Sequence, residues 1–252
     1  MLAAERHGSG PRVVLAHGFT QTRRSWGPVA DDLATDHEVV LVDLPGHGRS
    51  AHVTGDLWEA GRLLGRTGGD AAYVGYSLGG RVALHLALAG PERVRALVLV
   101  GASPGITDEG ERTARRRADD RAAARLRREG VPTFVRRWLR QPLFATLPAE
   151  AAGFDLRLEN TAAGLALALE LLGAGVQEPL WDRLPELAMP VLVVAGERDE
   201  KYVATAQATA GAIGANADVA LVPDAGHAAH LERPDAFLAV VRPFLAAHTV
   251  AP

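Results

Sequence analysis

The chain has no cysteine, a single lysine, only five serines and no apolar run approaching 18 residues. Without cysteine, disulfides and thiolate metal sites are excluded outright. Without a long apolar run no membrane span is expected, and no basic-then-apolar start precedes the first strand-like run, so no signal peptide is expected either. Those two absences fit a cytoplasmic protein. A formal net charge of −3 argues against a nucleic-acid partner. Lys201 stands alone among 27 basic residues, the rest being arginine, a bias read as coding rather than chemistry. With 252 residues, 48% of them hydrophobic, the chain can bury one large core.

Short apolar runs recur at Val13–Ala16, Val39–Val42, Ala72–Val74, Ala96–Val100, Val191–Val194 and Val219–Val222. Continuous apolar strands of this kind are buried on both faces, as in a parallel sheet. Helical patterns alternate with them at Trp26–Leu33, Leu57–Leu64, Arg81–Ala89, Ala204–Ile213 and Pro234–Ala247, which predicts an α/β fold with a mostly parallel, doubly wound sheet. Between Val100 and Val191 only helical runs appear, at Glu111–Arg128, Thr133–Leu139 and Ala162–Leu172. Residues 103–186 are therefore expected to form a helical cap inserted into a core made of 1–102 and 187–252. Eleven arginines fall between 112 and 140. Most of these belong on a solvated helix face, paired locally as Asp108 with Arg112 or Glu111 with Arg115.

Gly75-Tyr76-Ser77-Leu78-Gly79 sits between a strand-like run and a helical one, the context of a nucleophile elbow. With five serines and 27 glycines in the chain, composition alone would give roughly 0.06 such matches. In an open α/β sheet the ligand crevice lies beyond the carboxyl ends of the strands, so residues just after strand runs are where chemistry collects. A serine hydroxyl needs an imidazole to take its proton and a carboxylate to hold that imidazole in the right tautomer. His227 and Asp199 supply these, in the order Ser, Asp, His. His230 is the competing base, and Glu197 and Glu200 are the competing carboxylates. The backbone N–H groups of Leu78 and Phe19 are the natural oxyanion donors. His17, beside Phe19, is either part of that site or packing in a buried turn. Asp43 to Ser50, Asp-Leu-Pro-Gly-His-Gly-Arg-Ser, is a structural turn in which His47 takes no catalytic part.

These segments resemble the α/β-hydrolase superfamily over the whole chain. Further stretches are more specific: Gly75 to Ala83, Ser103-Pro104-Gly105 with Glu111-Arg112 and Arg115, Trp138 with Gln141 to Phe144, Gly196 to Asp199 with Lys201-Tyr202, and Ala225 to His230. Together they resemble the 2-succinyl-6-hydroxy-2,4-cyclohexadiene-1-carboxylate synthases of menaquinone biosynthesis. The resemblance implies a lyase that eliminates pyruvate from 2-succinyl-5-enolpyruvyl-6-hydroxy-3-cyclohexene-1-carboxylate, with the serine as a base. It implies a small-molecule polycarboxylate partner bound by Arg81, Arg115 and Arg157, with Tyr76 and Trp138 lining the pocket. No metal or organic cofactor is implied. One or two leading antiparallel strands of the larger fold are expected to be absent. The alternatives are a carboxylic-ester or acyl hydrolase using the same triad through an acyl-enzyme, and a non-catalytic binding relative.

Overall fold

The structure is a computed structural model in which residues 1–249 are described. Its centre is a seven-stranded sheet: β1 (Ala4–His7), β2 (Arg12–Ala16), β3 (Glu38–Val42), β4 (Ala71–Tyr76), β5 (Val94–Val100), β6 (Val191–Gly196) and β7 (Ala217–Val222). The spatial order is β1-β3-β2-β4-β5-β6-β7, and every pairing is parallel except β1 on β3. All six strand-like runs of the sequence are strands. The seventh, β1, has no apolar run to announce it: Ala-Glu-Arg-His is largely exposed and forms through its pairing, Ala4 opposite Val42 and His7 opposite Val39. One leading antiparallel strand is thus present.

The inner strands β4 and β6 are buried at every position, as a sheet covered on both faces requires. β7 is different: it closes one edge, and Val219 and Leu221 are exposed. Helices α1 (Gly27–Leu33), α2 (Leu57–Gly68), α3 (Leu78–Ala89), α4 (Glu109–Trp138), α5 (Phe154–Arg157), α6 (Ala162–Leu172), α7 (Glu200–Ile213), α8 (Ala229–Glu232) and α9 (Pro234–His248) complete the order. Two apolar clusters cover the two faces of the sheet, one through α2, α3 and α7 and the other through α1 and α9. Among the described residues no helix is long and apolar enough to cross a membrane.

No strand lies between β5 and β6 among the described residues. That stretch carries its own small core, in which Leu126, Phe134 and Val135 of α4 meet Leu165 and Leu169 of α6. α4 breaks at Gly130, whose φ of 76° interrupts the helix, and Pro132 begins the second piece. The local ion pairs differ from those expected. Asp108 caps α4 by accepting from the Glu111 N–H, so its carboxylate is not held for Arg112, and Arg115 pairs with Asp119 at 2.9 Å.

The corner at Asn160 ties this helical segment to the sheet. Its side-chain amide donates to the Thr20 carbonyl at 2.8 Å and its Oδ1 accepts from the Gly48 N–H at 2.8 Å, bridging the loops after β2 and β3. The loop after β3 is itself organised by Asp43, which is fully buried. Its carboxylate accepts from the Arg23 N–H (2.8 Å), the Arg49 N–H (2.9 Å) and the Arg23 guanidinium (2.6 Å). Removing the carboxylate leaves two backbone N–H groups unmet and takes from the buried Arg23 guanidinium one of its two counter-charges, the other being Glu5 at 2.7 Å, which costs about 3–5 kcal/mol. Asp43→Ala is therefore expected to lower the free energy of unfolding in urea by about that much; a loss below about 1 kcal/mol would show that the loop stands without it.

Candidate active site

Ser77 follows β4 and is the residue on which α3 begins. Its φ of 51° and ψ of −106° lie where a residue with a Cβ is strained, at a cost of order 1–3 kcal/mol. The turn holds because strand and helix are packed too closely for it to relax. A Cβ on Gly79 would overlap the carbonyl of Ala16 in β2, and one on Gly75 would overlap the backbone of Gly79 and Gly80. The Ser77 N–H is also fixed, donating to the Val100 carbonyl at 2.8 Å. The hydroxyl is thereby held at the carboxyl end of the sheet, half-buried.

Two later strands deliver the groups that face it. Asp199 follows β6 and caps α7 by accepting from the Tyr202 N–H; its other oxygen lies 2.9 Å from His227 Nδ1. His227 follows β7, and its Nε2 lies 3.4 Å from Ser77 Oγ. With Asp199 as an acceptor, Nδ1 carries the ring proton and Nε2 presents a lone pair to the serine. The three side chains expected to work together are therefore brought together. The two loops meet because Gly196 has no side chain: a Cβ there would overlap the Gly226 carbonyl. Glu232 fastens the histidine loop from below, accepting from the N–H groups of Gly226 (2.7 Å) and Ala228 (3.0 Å). Gly101, at φ 53°, leaves room for the imidazole, since a Cβ there would stand 3.0 Å from its Cε1. Nothing in local sequence pattern marks Glu232 or Gly101 for these tasks.

The competing residues go elsewhere. Glu197 accepts from the Asp224 N–H, and Glu200 is exposed on α7. His230 is buried with its ring against Trp26 (4.6 Å between centroids) and Tyr76 (4.4 Å), and burial pushes its pKa down to about 3. His17 is fully buried in its turn, with Nδ1 2.8 Å from the Gly18 carbonyl and Nε2 accepting from the Leu44 N–H at 3.1 Å. His47 packs edge-on against it at 4.9 Å.

A cavity of ≈ 320 Å³ opens over Ser77 and His227, walled by the helical segment on one side and by α7 on the other. Phe19 and Leu78 line it, and neither backbone N–H donates to another group among the described residues. Trp138 lines it as well, edge-on to the Phe19 ring at 5.0 Å. Arg81 and Arg115 are both in its wall. Arg81 donates to the Leu172 carbonyl (2.7 Å) and to Oε1 of buried Gln177 (3.3 Å), and no carboxylate pairs with it among the described residues. Burial first, and Arg115 second, lower its pKa to about 10, so it remains a cation at neutral pH. Arg115 is exposed at the rim, held by buried Asp119.

Two expected pocket residues lie outside the lining. Tyr76 is buried behind His227, their ring centroids 5.4 Å apart. Arg157 is 2% exposed and turned into the joint between α5 and the loop after β2, donating to the Ala152 carbonyl at 2.8 Å and to the Thr20 hydroxyl. The position of an arginine along the chain does not reveal which way its guanidinium turns. Among the described residues no group of three or more metal-ligating side chains is assembled.

A mostly parallel sheet whose central strand ends in a strained serine, faced by a carboxylate and a histidine from the last two strands, defines the protein as one of α/β-hydrolase fold. Comparison with known proteins agrees. The chain belongs to the alpha/beta hydrolase family, which matches residues 13–240. It is 38% identical over 234 residues to a Salmonella paratyphi B protein named 2-succinyl-6-hydroxy-2,4-cyclohexadiene-1-carboxylate synthase, covering 89% of each chain. The solved structure of MenH from S. aureus superposes with a TM-score of 0.91 at 33% identity, covering 98% of this chain and 99% of that one. A thermophilic esterase from Thermogutta terrifontis gives 0.85 at 26%, covering 99% and 94%.

Four buried histidines make the fold sensitive to acid. Burial depresses His17 and His85 to about 4 and His47 and His230 to about 3. Above pH ~6.5 all four are neutral whether the chain is folded or not, and they carry no pH dependence. Below it the unfolded chain takes up protons that the native one refuses, so stability falls until the folded values are reached. Thermal melts are expected to show a Tm that falls steeply between pH 6 and pH 4; a flat profile over that range would mean that these rings protonate in place.

Proposed function

We propose that the protein is a lyase that eliminates pyruvate from 2-succinyl-5-enolpyruvyl-6-hydroxy-3-cyclohexene-1-carboxylate, giving the product for which its Salmonella relative is named. The observation that carries this reading is Arg81. Arg81 is half-buried in the cavity wall and no carboxylate meets it among the described residues, so its charge is left to be matched by an anion that enters the cavity. An esterase acting on neutral substrates has no use for it, whereas a tricarboxylate does.

In this reading His227 Nε2 takes the proton of Ser77 Oγ, and Oγ takes the ring proton at the carbon bearing the succinyl group. That proton is acidic because the C–H electron pair can pass to the neighbouring ketone oxygen. The N–H groups of Phe19 and Leu78 receive the charge there. As the carbonyl reforms, the electron pair moves through the ring double bond, the C–O bond to the enolpyruvyl group breaks, and the departing enolate is protonated to pyruvate. Asp199 keeps Nδ1 protonated and the imidazole aimed at the serine throughout. Arg81 and Arg115 hold carboxylates, Trp138 packs on the ring, and residues 103–186 act as a cap that keeps water from the enolate. A cytoplasmic setting belongs to the same reading.

The test is to follow pyruvate release from the tricarboxylate. Ser77→Ala and His227→Ala are each expected to lower kcat by about 10²–10⁴-fold, the usual contribution of a positioned base. Failure of the wild type to release pyruvate, together with ready cleavage of a nitrophenyl ester, would replace this reading with an acyl-enzyme hydrolase. Arg81→Ala is expected to cut kcat/KM for the tricarboxylate by about 100-fold, roughly the worth of a lost charge-assisted contact, and to cut neutral ester cleavage far less. Equal losses on both substrates would make Arg81 a structural residue.

A further inference from the structure

Three of the 27 basic residues line the cavity: Arg81, Arg115 and Lys201. Lys201 is the only lysine of the chain. A lysine placed at random among the basic positions would fall in this wall about one time in nine. An ammonium is a compact point charge and a guanidinium a broad planar fork, so the two are not interchangeable in a cavity wall. The local structure agrees. Lys201 is the second residue of α7, two positions after Asp199, and Tyr202 and Thr205 beside it also line the cavity. Lys201 is exposed at the cavity mouth, and among the described residues no ion pair or side-chain hydrogen bond commits its ammonium elsewhere. Of the two acids just before it, Glu200 is exposed on α7 and Asp199 is committed to His227 and to the cap of α7. The one carboxylate in the cavity wall is Glu111, which belongs to α4.

We propose that Lys201 is a substrate-binding residue, the third cation of the site, which takes a carboxylate of a polyanionic substrate on the α7 side of the cavity. Arg81 and Arg115 approach from α3 and α4, so the three charges stand on three different elements around one space. A tricarboxylate finds one cation for each charge, and Arg157, turned into its joint, is not required as the third. This assignment rests on the tricarboxylate reading given above, and it adds a specificity determinant: an anion with fewer carboxylates leaves one cation unmatched.

Two measurements on the wild type, Lys201→Gln and Lys201→Arg separate the possibilities. In pyruvate release, Lys201→Gln is expected to raise KM for the tricarboxylate at least tenfold with kcat changed less than threefold, and Lys201→Arg to fall between it and the wild type. In calorimetric binding of propane-1,2,3-tricarboxylate, which requires no turnover, Lys201→Gln is expected to weaken binding at least fivefold. A wild type that releases no pyruvate but binds the probe through Lys201 overturns the proposed reaction and leaves this site standing. A KM and a probe affinity within twofold of wild type, no binding of the probe by the wild type, or an arginine variant no better than the glutamine one, would each overturn the role given to Lys201.

Discussion

The close packing of α3 on β2 and β4 is the constraint on which the rest depends. Ser77 occupies a backbone conformation it would leave if it could, and it is kept there because Gly75 and Gly79 let the helix start against the strands. That single geometry does several things together. It lifts the hydroxyl above the sheet, leaves the Leu78 N–H without a helical partner beside it, and sends Arg81, one turn further on, along the same wall of the cavity. The histidine and carboxylate then need only reach one fixed point. They do so from loops after β6 and β7 that Gly196 allows to touch, the second of them fastened by Glu232.

Around that point charge is arranged asymmetrically. Behind the cavity lining, the histidines at 17, 47 and 230 are neutral near pH 7 because burial disfavours their cationic form. In the wall, Arg81, Arg115 and Lys201 face a space with a single carboxylate, Glu111. The cations are positioned as well as present: Gln177 and the Leu172 carbonyl hold Arg81, and Asp119 holds Arg115. These holding groups come from the helical segment between β5 and β6, which gives that segment a part in recognition beyond covering the sheet.

Strands β2 to β7 and the helices around them were legible because each is a long apolar run or a clear periodic one. β1 was not, since Glu5-Arg6-His7 has no apolar signal and becomes a strand only against β3. Ser77, Asp199 and His227 were legible because their spacing follows strand ends, and strand ends fix where a side chain emerges. Arg81 was legible for the same reason, one helical turn from the serine. Arg157 and Tyr76 were expected in the pocket and lie outside its lining, because a long side chain or a ring can turn to either side of its backbone and packing chooses which. Glu232 and Gln177 gave no local signal, and Asp119 gave only a four-residue spacing to Arg115 that Glu111 offers equally. Each matters only through a partner distant in the chain or across a turn.

What the sequence by itself determined is the parallel sheet, the strained serine turn and the order of the residues that meet there, since apolar periodicity and glycine spacing act locally and survive without knowledge of neighbours. Only the tertiary structure decided which cations face the cavity. Charge does not choose a direction from the sequence; burial, a free carbonyl or a carboxylate within reach does. The lone lysine, read from composition as a remnant of coding bias, acquired a place in the cavity wall only once α7 was folded against the sheet.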